Sequence, residues 1–168
     1  MKLDYGSGRQ PKEGFLTSDF CGAPGYDFYI KDYKVLGAED HSFDVIHCRN
    51  VIHHIPEKDL HLLFSEFNRL LKKDGQLIIS EPRKESHLQN LILDIIWYRF
   101  LVFDDKIMIP NEYVDYKQYL SDFEMISTVD EYSNEIIICT KRTYKEIQYE
   151  KFTENLNRCH SSFCVAGM

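Results

Sequence analysis

Apolar and polar positions follow two different periods along this chain. In the middle, Ser42–Cys48 (SFDVIHC) is a short, largely apolar run and predicts a strand. Downstream, Leu60, Leu63, Phe64, Phe67, Leu70 and Leu71 recur at helical spacing. Pro56 suits a first helical position, and Glu57 and Asp59 a first turn; Lys72 and Lys73 suit a last turn, with Gly75 terminating it. These signals predict one helix of about four turns. Gln76–Ser80 (QLIIS) reads as a buried strand, so strand, helix and strand make a right-handed parallel unit. Ser86–Gln89 (SHLQ) has the form of a capping box for a helix reaching about Phe103, apolar nearly all round and so expected to be buried on more than one side. FEMISTVDEY and EIIICTK flank Ser133-Asn134, a tight-turn signal that predicts an antiparallel hairpin. At the front, MKLDY, GFLTSD and DFYIK predict three further short strands. The sum is about seven strands, mostly parallel and closing in a hairpin. That describes one α/β domain over residues 1–142, followed by an appendage at 143–168.

Composition narrows the function classes. The 168 residues carry 20 Lys and Arg against 27 Asp and Glu, a net charge of 20 − 27 = −7. Residues 104–135 hold nine acids against Lys106 and Lys117, which is 2 − 9 = −7 in that segment alone. No broad basic face is visible, so a nucleic-acid partner is not expected. Five cysteines without a C-x-x-C pair point to neither a disulfide framework nor a zinc ribbon. No signal-peptide pattern opens the sequence, and the longest apolar run, Leu88–Phe103, is short for a membrane span and carries Asp94 and Arg99. A cytoplasmic protein that does not enter the membrane is expected.

His41, His47, Cys48, His53, His54 and His61 crowd into one region. Their spacing argues against a metal. His47 and Cys48 point to opposite faces of a strand, and His53 and His54 are adjacent rather than one helical turn apart.

The stretch Leu3–Phe20 (LDYGSGRQPKEGFLTSDF) is the best candidate for a binding turn. A short strand and an acid precede Gly6-Ser7-Gly8, and glycines there let backbone amides approach a ligand closely. A nicotinamide site would ask for a third glycine opening a helix, but position 11 is Pro and the acid Asp19 arrives early. The element order, read with LDYGSG, TSD, DFYIKDY, FDVIHCRNVIHHIPE and LLKKDGQLIISEP, resembles the class I S-adenosylmethionine-dependent methyltransferases over roughly residues 2–141. The resemblance implies a Rossmann-like sheet in strand order 3-2-1-4-5-7-6 with strand 7 antiparallel, and S-adenosylmethionine as cofactor. It implies that Asp4, Gly6, Ser7 and Gly8 form the first cofactor motif and that Asp19 accepts the ribose hydroxyls. Asp32 would take the adenine amino group, with Tyr33 or Phe20 on the ring. Arg49 and Asn50 would meet the methionine carboxylate or the acceptor.

Methyl transfer is an in-line displacement, and the cofactor carries the activation; the protein supplies alignment and, for a hydroxyl acceptor, a base. His53, His54 and Glu81 are the candidates for that base. The acceptor is expected to be a small molecule, on oxygen or nitrogen. The competing reading is an inactive relative kept as a binding or assembly subunit. Two departures from the family favour that alternative. No helix precedes the first strand, and only Arg9–Glu13 separate Gly8 from Gly14. Five to seven extended residues reach ~16–23 Å, about one strand length, so the chain can return without a crossover helix. Apolar surface near Leu3, Phe15 and Leu16 should then lack its usual cover. The 143–168 tail, or a second copy of the chain using Ile96, Trp97 and Phe100, is expected to supply it.

Overall fold

The computed structural model describes residues 1–20, 25–82, 115–131 and 134–142. Eight strands form one sheet: β1 (Lys2–Tyr5), β2 (Leu16–Asp19), β3 (Phe28–Lys31), β4 (Lys34–Leu36), β5 (Phe43–Arg49), β6 (Leu71–Pro82), β7 (Phe123–Glu131) and β8 (Asn134–Lys141). Their order is β4-β3-β2-β1-β5-β6-β8-β7. Strands β3, β2, β1, β5 and β6 are mutually parallel, while β8 runs antiparallel to both β6 and β7. The parallel sheet closing in a hairpin is the expected α/β architecture, with β4 added at the edge.

The sheet has two unlike faces because strand side chains alternate. Leu3 and Tyr5 of β1, Ile46 and Cys48 of β5, Leu77 and Ile79 of β6, and Ile137 and Cys139 of β8 all lie on one face and are fully buried. Against them packs the helix α1 (Leu60–Leu70), through Leu60, Leu63, Phe64, Phe67 and Leu70. The rings of Tyr5 and Phe67 meet edge to face at 4.9 Å. The other face carries His47, Ile78, Ile136 and Ile138, the isoleucines half-buried. The expectation of uncovered surface at Leu3 is therefore wrong in its face. Leu3 points to α1 and is completely buried, because odd positions of β1 face the helix.

Helix α1 is shorter than its sequence signals. A 3-10 turn at Glu57–Asp59 precedes it, and it stops at Leu70. Leu71 turns extended, pairs with Phe43 and is fully buried, so the apolar stripe's last member serves the sheet rather than the helix. Lys72, Lys73 and Gly75 consequently belong to β6, where Lys72 Nζ donates to Asp44 Oδ1 at 2.8 Å. Strand β4 was not visible in the sequence. It forms because Asp32 and Tyr33 both take positive φ, 49° and 64°, the pattern of a two-residue hairpin turn that joins β3 to β4. The buried Glu66 of α1 ties β4 down by accepting the Val35 N–H at 2.8 Å.

No helix joins β1 to β2; residues 9–15 run as a turn-rich strap. The capping box at Ser86, the helix to Phe103, the turn residue Ser133 and the tail from 143 lie outside the described residues, as do the apolar positions named for a subunit contact.

Candidate active site

The carboxyl ends of the parallel strands converge where open α/β sheets hold ligands. Gly6 follows β1, Asp19 ends β2, Asn50 follows β5 and Glu81 lies at the end of β6. Gly6 has φ 69°, and a Cβ there would come within 2.4 Å of Val51 Cγ2, so the turn must be glycine to lie against the β5 loop. Gly8 has φ 53°, and a Cβ there would meet nothing within 4 Å, so its backbone faces open space. The Gly8 N–H donates to Asp19 Oδ2 at 2.7 Å. Ser7, expected with this motif, is buried instead. Its hydroxyl donates to the Asp4 carbonyl at 2.8 Å and accepts the Ser18 N–H at 3.1 Å, stapling β1 to β2.

Asp4 is buried on the face opposite α1, and both its oxygens are engaged. Oδ1 lies 2.8 Å from His47 Nδ1, and Oδ2 accepts the Lys12 N–H at 2.8 Å. Burial alone would raise the Asp4 pKa. The His47 hydrogen bond, the Lys12 N–H and the charges of His47 and Arg49 outweigh it and hold the carboxyl below its ordinary value. Asp4 thus anchors the strap. Arg49 assists, its Nη2 donating to the Gln10 carbonyl at 3.1 Å. The sequence drew attention to His47 only in a metal reading that its spacing argued against, and did not single out Lys12. The pairing of Asp4 with His47 on adjacent parallel strands is the signal that would have found the first.

At the end of β6, Glu81 is buried and works as a clamp. Oε1 accepts the N–H groups of Val51 and Ile52 at 2.7 and 2.8 Å. Oε2 lies 2.6 Å from His53 Nδ1 and accepts the His53 N–H at 3.4 Å. The carboxylate therefore shapes the short 3-10 turn Ile52–His54 and fixes the His53 ring, with His54 beside it at 4.1 Å between centroids. Cys48, fully buried nearby, is no nucleophile, because burial and the Glu81 and Asp4 carboxylates push its thiol well above the ordinary value.

Phe20 is half-buried, its ring 5.8 Å from Tyr33 at 73° and 6.3 Å from Tyr5. Tyr33 donates through its hydroxyl to Asp59 Oδ2 at 3.3 Å, and Asp32 is exposed in the hairpin turn. Arg49 stands exposed at the end of β5, on the face away from α1. Among the described residues, no three of His, Cys, Asp and Glu are placed to hold a metal ion. No helix among them is long and apolar enough to cross a membrane.

A methyltransferase-domain family model matches residues 3–118, and the chain belongs to that family, the class I methyltransferases that draw on S-adenosylmethionine. It is an enzyme of methyl transfer. Solved structures agree on the fold. The PH0226 protein of Pyrococcus horikoshii is 15% identical with a TM-score of 0.60, over 84% of this chain and 81% of that one. A SAM-dependent methyltransferase of Methanosarcina mazei is 17% identical with a TM-score of 0.56, over 83% and 91%. A putative type 11 methyltransferase of Sulfolobus solfataricus is 19% identical with a TM-score of 0.56, over 85% and 84%. No curated protein matches the chain by sequence. The residues present fit the family's cofactor. Gly8 leaves open space where a side chain would stand, and the Asp19 carboxylate ends β2 beside it, its Oδ2 accepting the Gly8 N–H.

Proposed function

We propose that the chain transfers a methyl group to the oxygen or nitrogen of a small cytoplasmic molecule, with His53 as the base that takes the acceptor's proton. The observation that carries this reading is the 2.6 Å contact between His53 Nδ1 and buried Glu81 Oε2. A carboxylate accepts, so Nδ1 carries the proton and Nε2 becomes the basic atom of the ring. Glu81 is then a positioning residue, since its oxygens are committed to His53 and to the backbone of Val51 and Ile52. Asp19, Gly6 and Gly8 would hold the cofactor, with Phe20 and Tyr33 as aromatic wall and Asp32 as a secondary candidate at the adenine end; Arg49, turned to the sheet face away from α1, is left out of the cofactor contacts in this reading. When bound, S-adenosylmethionine supplies an electrophilic methyl group. Asp4 and Ser7 act through the strap and the β1–β2 staple rather than by contact. Residues 1–142 form the working unit in this reading, and 143–168 are an appendage to it.

The test is S-adenosylhomocysteine release over a panel of small hydroxy and amino compounds, with RNA and peptides as further arms. Turnover of a small acceptor is expected. His53→Gln should cut kcat by roughly a hundredfold, the ordinary contribution of a positioned base. Turnover confined to RNA or peptide would overturn the small-molecule acceptor, and full activity in His53→Gln would overturn the base.

A further inference from the structure

The sheet face turned away from α1 carries a cavity on the opposite side from the Glu81–His53 pair. It has a volume of about 410 Å³ and is lined by Gln10, Pro11 and Lys12 of the strap, His47 and Arg49 of β5, Ile78 and Ser80 of β6, and Ile136 of β8. Alternation along β6 sends Ser80 to this face and Glu81 to the other. The sheet therefore stands between the cavity and the Glu81–His53 pair.

None of the described lining residues is acidic. Lys12 and Arg49 bring positive charge, and Lys2 stands beside Phe15 on the same sheet face, outside the lining. The ammonium groups of Lys2 and Lys12 each lie 5.5 Å from the centre of the Phe15 ring, which meets the His47 ring at 6.0 Å. This gathering stands out in a chain of net charge −7. Asp4, the carboxylate behind His47, has both oxygens taken up in hydrogen bonds, from His47 Nδ1 and from the Lys12 N–H. The His47 ring is held through Nδ1, which turns Nε2 to the outer side of the pair. Ser80 Oγ accepts from Asn134 Nδ2 at 3.2 Å and keeps its own proton to donate. Arg49 commits one N–H to Gln10 and retains the rest of its planar fork, the shape that suits a carboxylate. Ile78 and Ile136 supply an apolar floor.

Cations at the rim, donors on the wall and an apolar floor define a ligand with one anionic end and a compact apolar body. We propose that this cavity binds a small organic carboxylate, its head on Arg49 and its body over Ile78 and Ile136. The site is separate from the cofactor turn and does not depend on the methyl-transfer reading.

Calorimetric titration of the full chain with benzoate tests it, with benzyl alcohol as the neutral isostere and inorganic phosphate as the competing anion class. Benzoate should bind, and benzyl alcohol should bind at least roughly tenfold more weakly, because the charge-assisted hydrogen bonds are lost. Arg49→Gln should weaken benzoate by a similar factor, and Ile136→Glu, which puts a repelling charge on the floor, should do so with the cations intact. Unchanged melting temperatures show that both variants fold. Saturating S-adenosylhomocysteine should leave benzoate affinity unchanged. Several outcomes overturn the assignment: no benzoate heat at millimolar concentration, equal binding of benzyl alcohol, or phosphate binding in place of benzoate. Indifference to both variants, or displacement by S-adenosylhomocysteine, would also overturn it.

Discussion

Asp4 joins three pieces of chain that are distant in sequence. Its carboxylate ties β1 to His47 of β5 and to the strap at Lys12, with almost no exposure to water. Removing one partner of such a buried pair leaves the other unsatisfied. Asp4→Ala is expected to cost about 3 kcal/mol, which lowers the melting temperature by roughly 6–12 °C in a domain of this size. The strap should also come loose, so limited trypsin digestion at Arg9 and Lys12 should be faster than in the parent chain. A variant that melts and digests as the parent does would refute the anchoring role. The pH dependence follows from the depressed folded pKa. Asp4 contributes stability in full above its unfolded pKa of about 3.9, and that contribution disappears as pH falls through the lower folded value. Acid unfolding monitored by circular dichroism should therefore set in at higher pH for Asp4→Ala than for the parent chain. None of this was readable from composition or periodicity. Asp4 and His47 are 43 positions apart, and only the parallel pairing of β1 with β5 brings them together.

Among the elements, the turn after β1 and the loop after β5 behave as one unit. Gly6 leaves no room for a Cβ because Val51 lies against it, and Val51 is held by Glu81. Gly6→Ala should be strongly destabilising, by about 2–4 kcal/mol from positive φ and the clash together. Adding Val51→Ala should recover part of the loss by removing the clash, while the backbone strain remains. A double-mutant cycle on melting temperatures measures this coupling, expected at about 0.5–3 kcal/mol. Strict additivity would show that the two loops do not touch. The sequence made β5, the core of β6 and the closing hairpin legible, since each is an apolar run too short for a helix and bounded by polar residues. It misread the end of α1, because Leu71 satisfies helical spacing and sheet burial equally well, and tertiary pairing with Phe43 decided for the sheet. It missed β4, because Asp32-Tyr33 lacks the glycine by which such turns are recognised. The candidate site was legible as a set of strand ends. Which carboxylates are free and which are committed was not, because hydrogen-bond partners such as Glu81 with His53 depend on loop geometry that periodicity does not encode.

For the molecule as a whole, the strap decides which cofactor the fold can hold. A dinucleotide fold places its pyrophosphate at the N-terminus of the helix after the first strand, where free N–H groups and the helix dipole meet the charge. Here no helix follows β1, and the N–H groups of Ser7, Gly8 and Lys12 are already donated to Ser18, Asp19 and Asp4. NAD therefore lacks here the helix N-terminus that would hold its pyrophosphate. S-adenosylmethionine needs none, since it carries no phosphate; it needs an acid at the end of β2 and room beside Gly8, and both are present. A ligand at a hundred times its Kd stabilises the folded state by ~2.7 kcal/mol, a rise of roughly 5–11 °C in melting temperature here. S-adenosylhomocysteine should produce that rise and NAD should not. Asp19→Ala should weaken S-adenosylhomocysteine about ten- to a hundredfold by removing charge-assisted hydrogen bonds. It should also lower the ligand-free melting temperature slightly, because Gly8 loses its acceptor. Thermal unfolding of both chains across a ligand series separates the two effects. An S-adenosylhomocysteine series that leaves the parent chain's melting temperature flat, or an equal rise with NAD, would remove the cofactor assignment. An unaltered affinity in Asp19→Ala would move the ribose contact to another acid, with Asp32 the next to test.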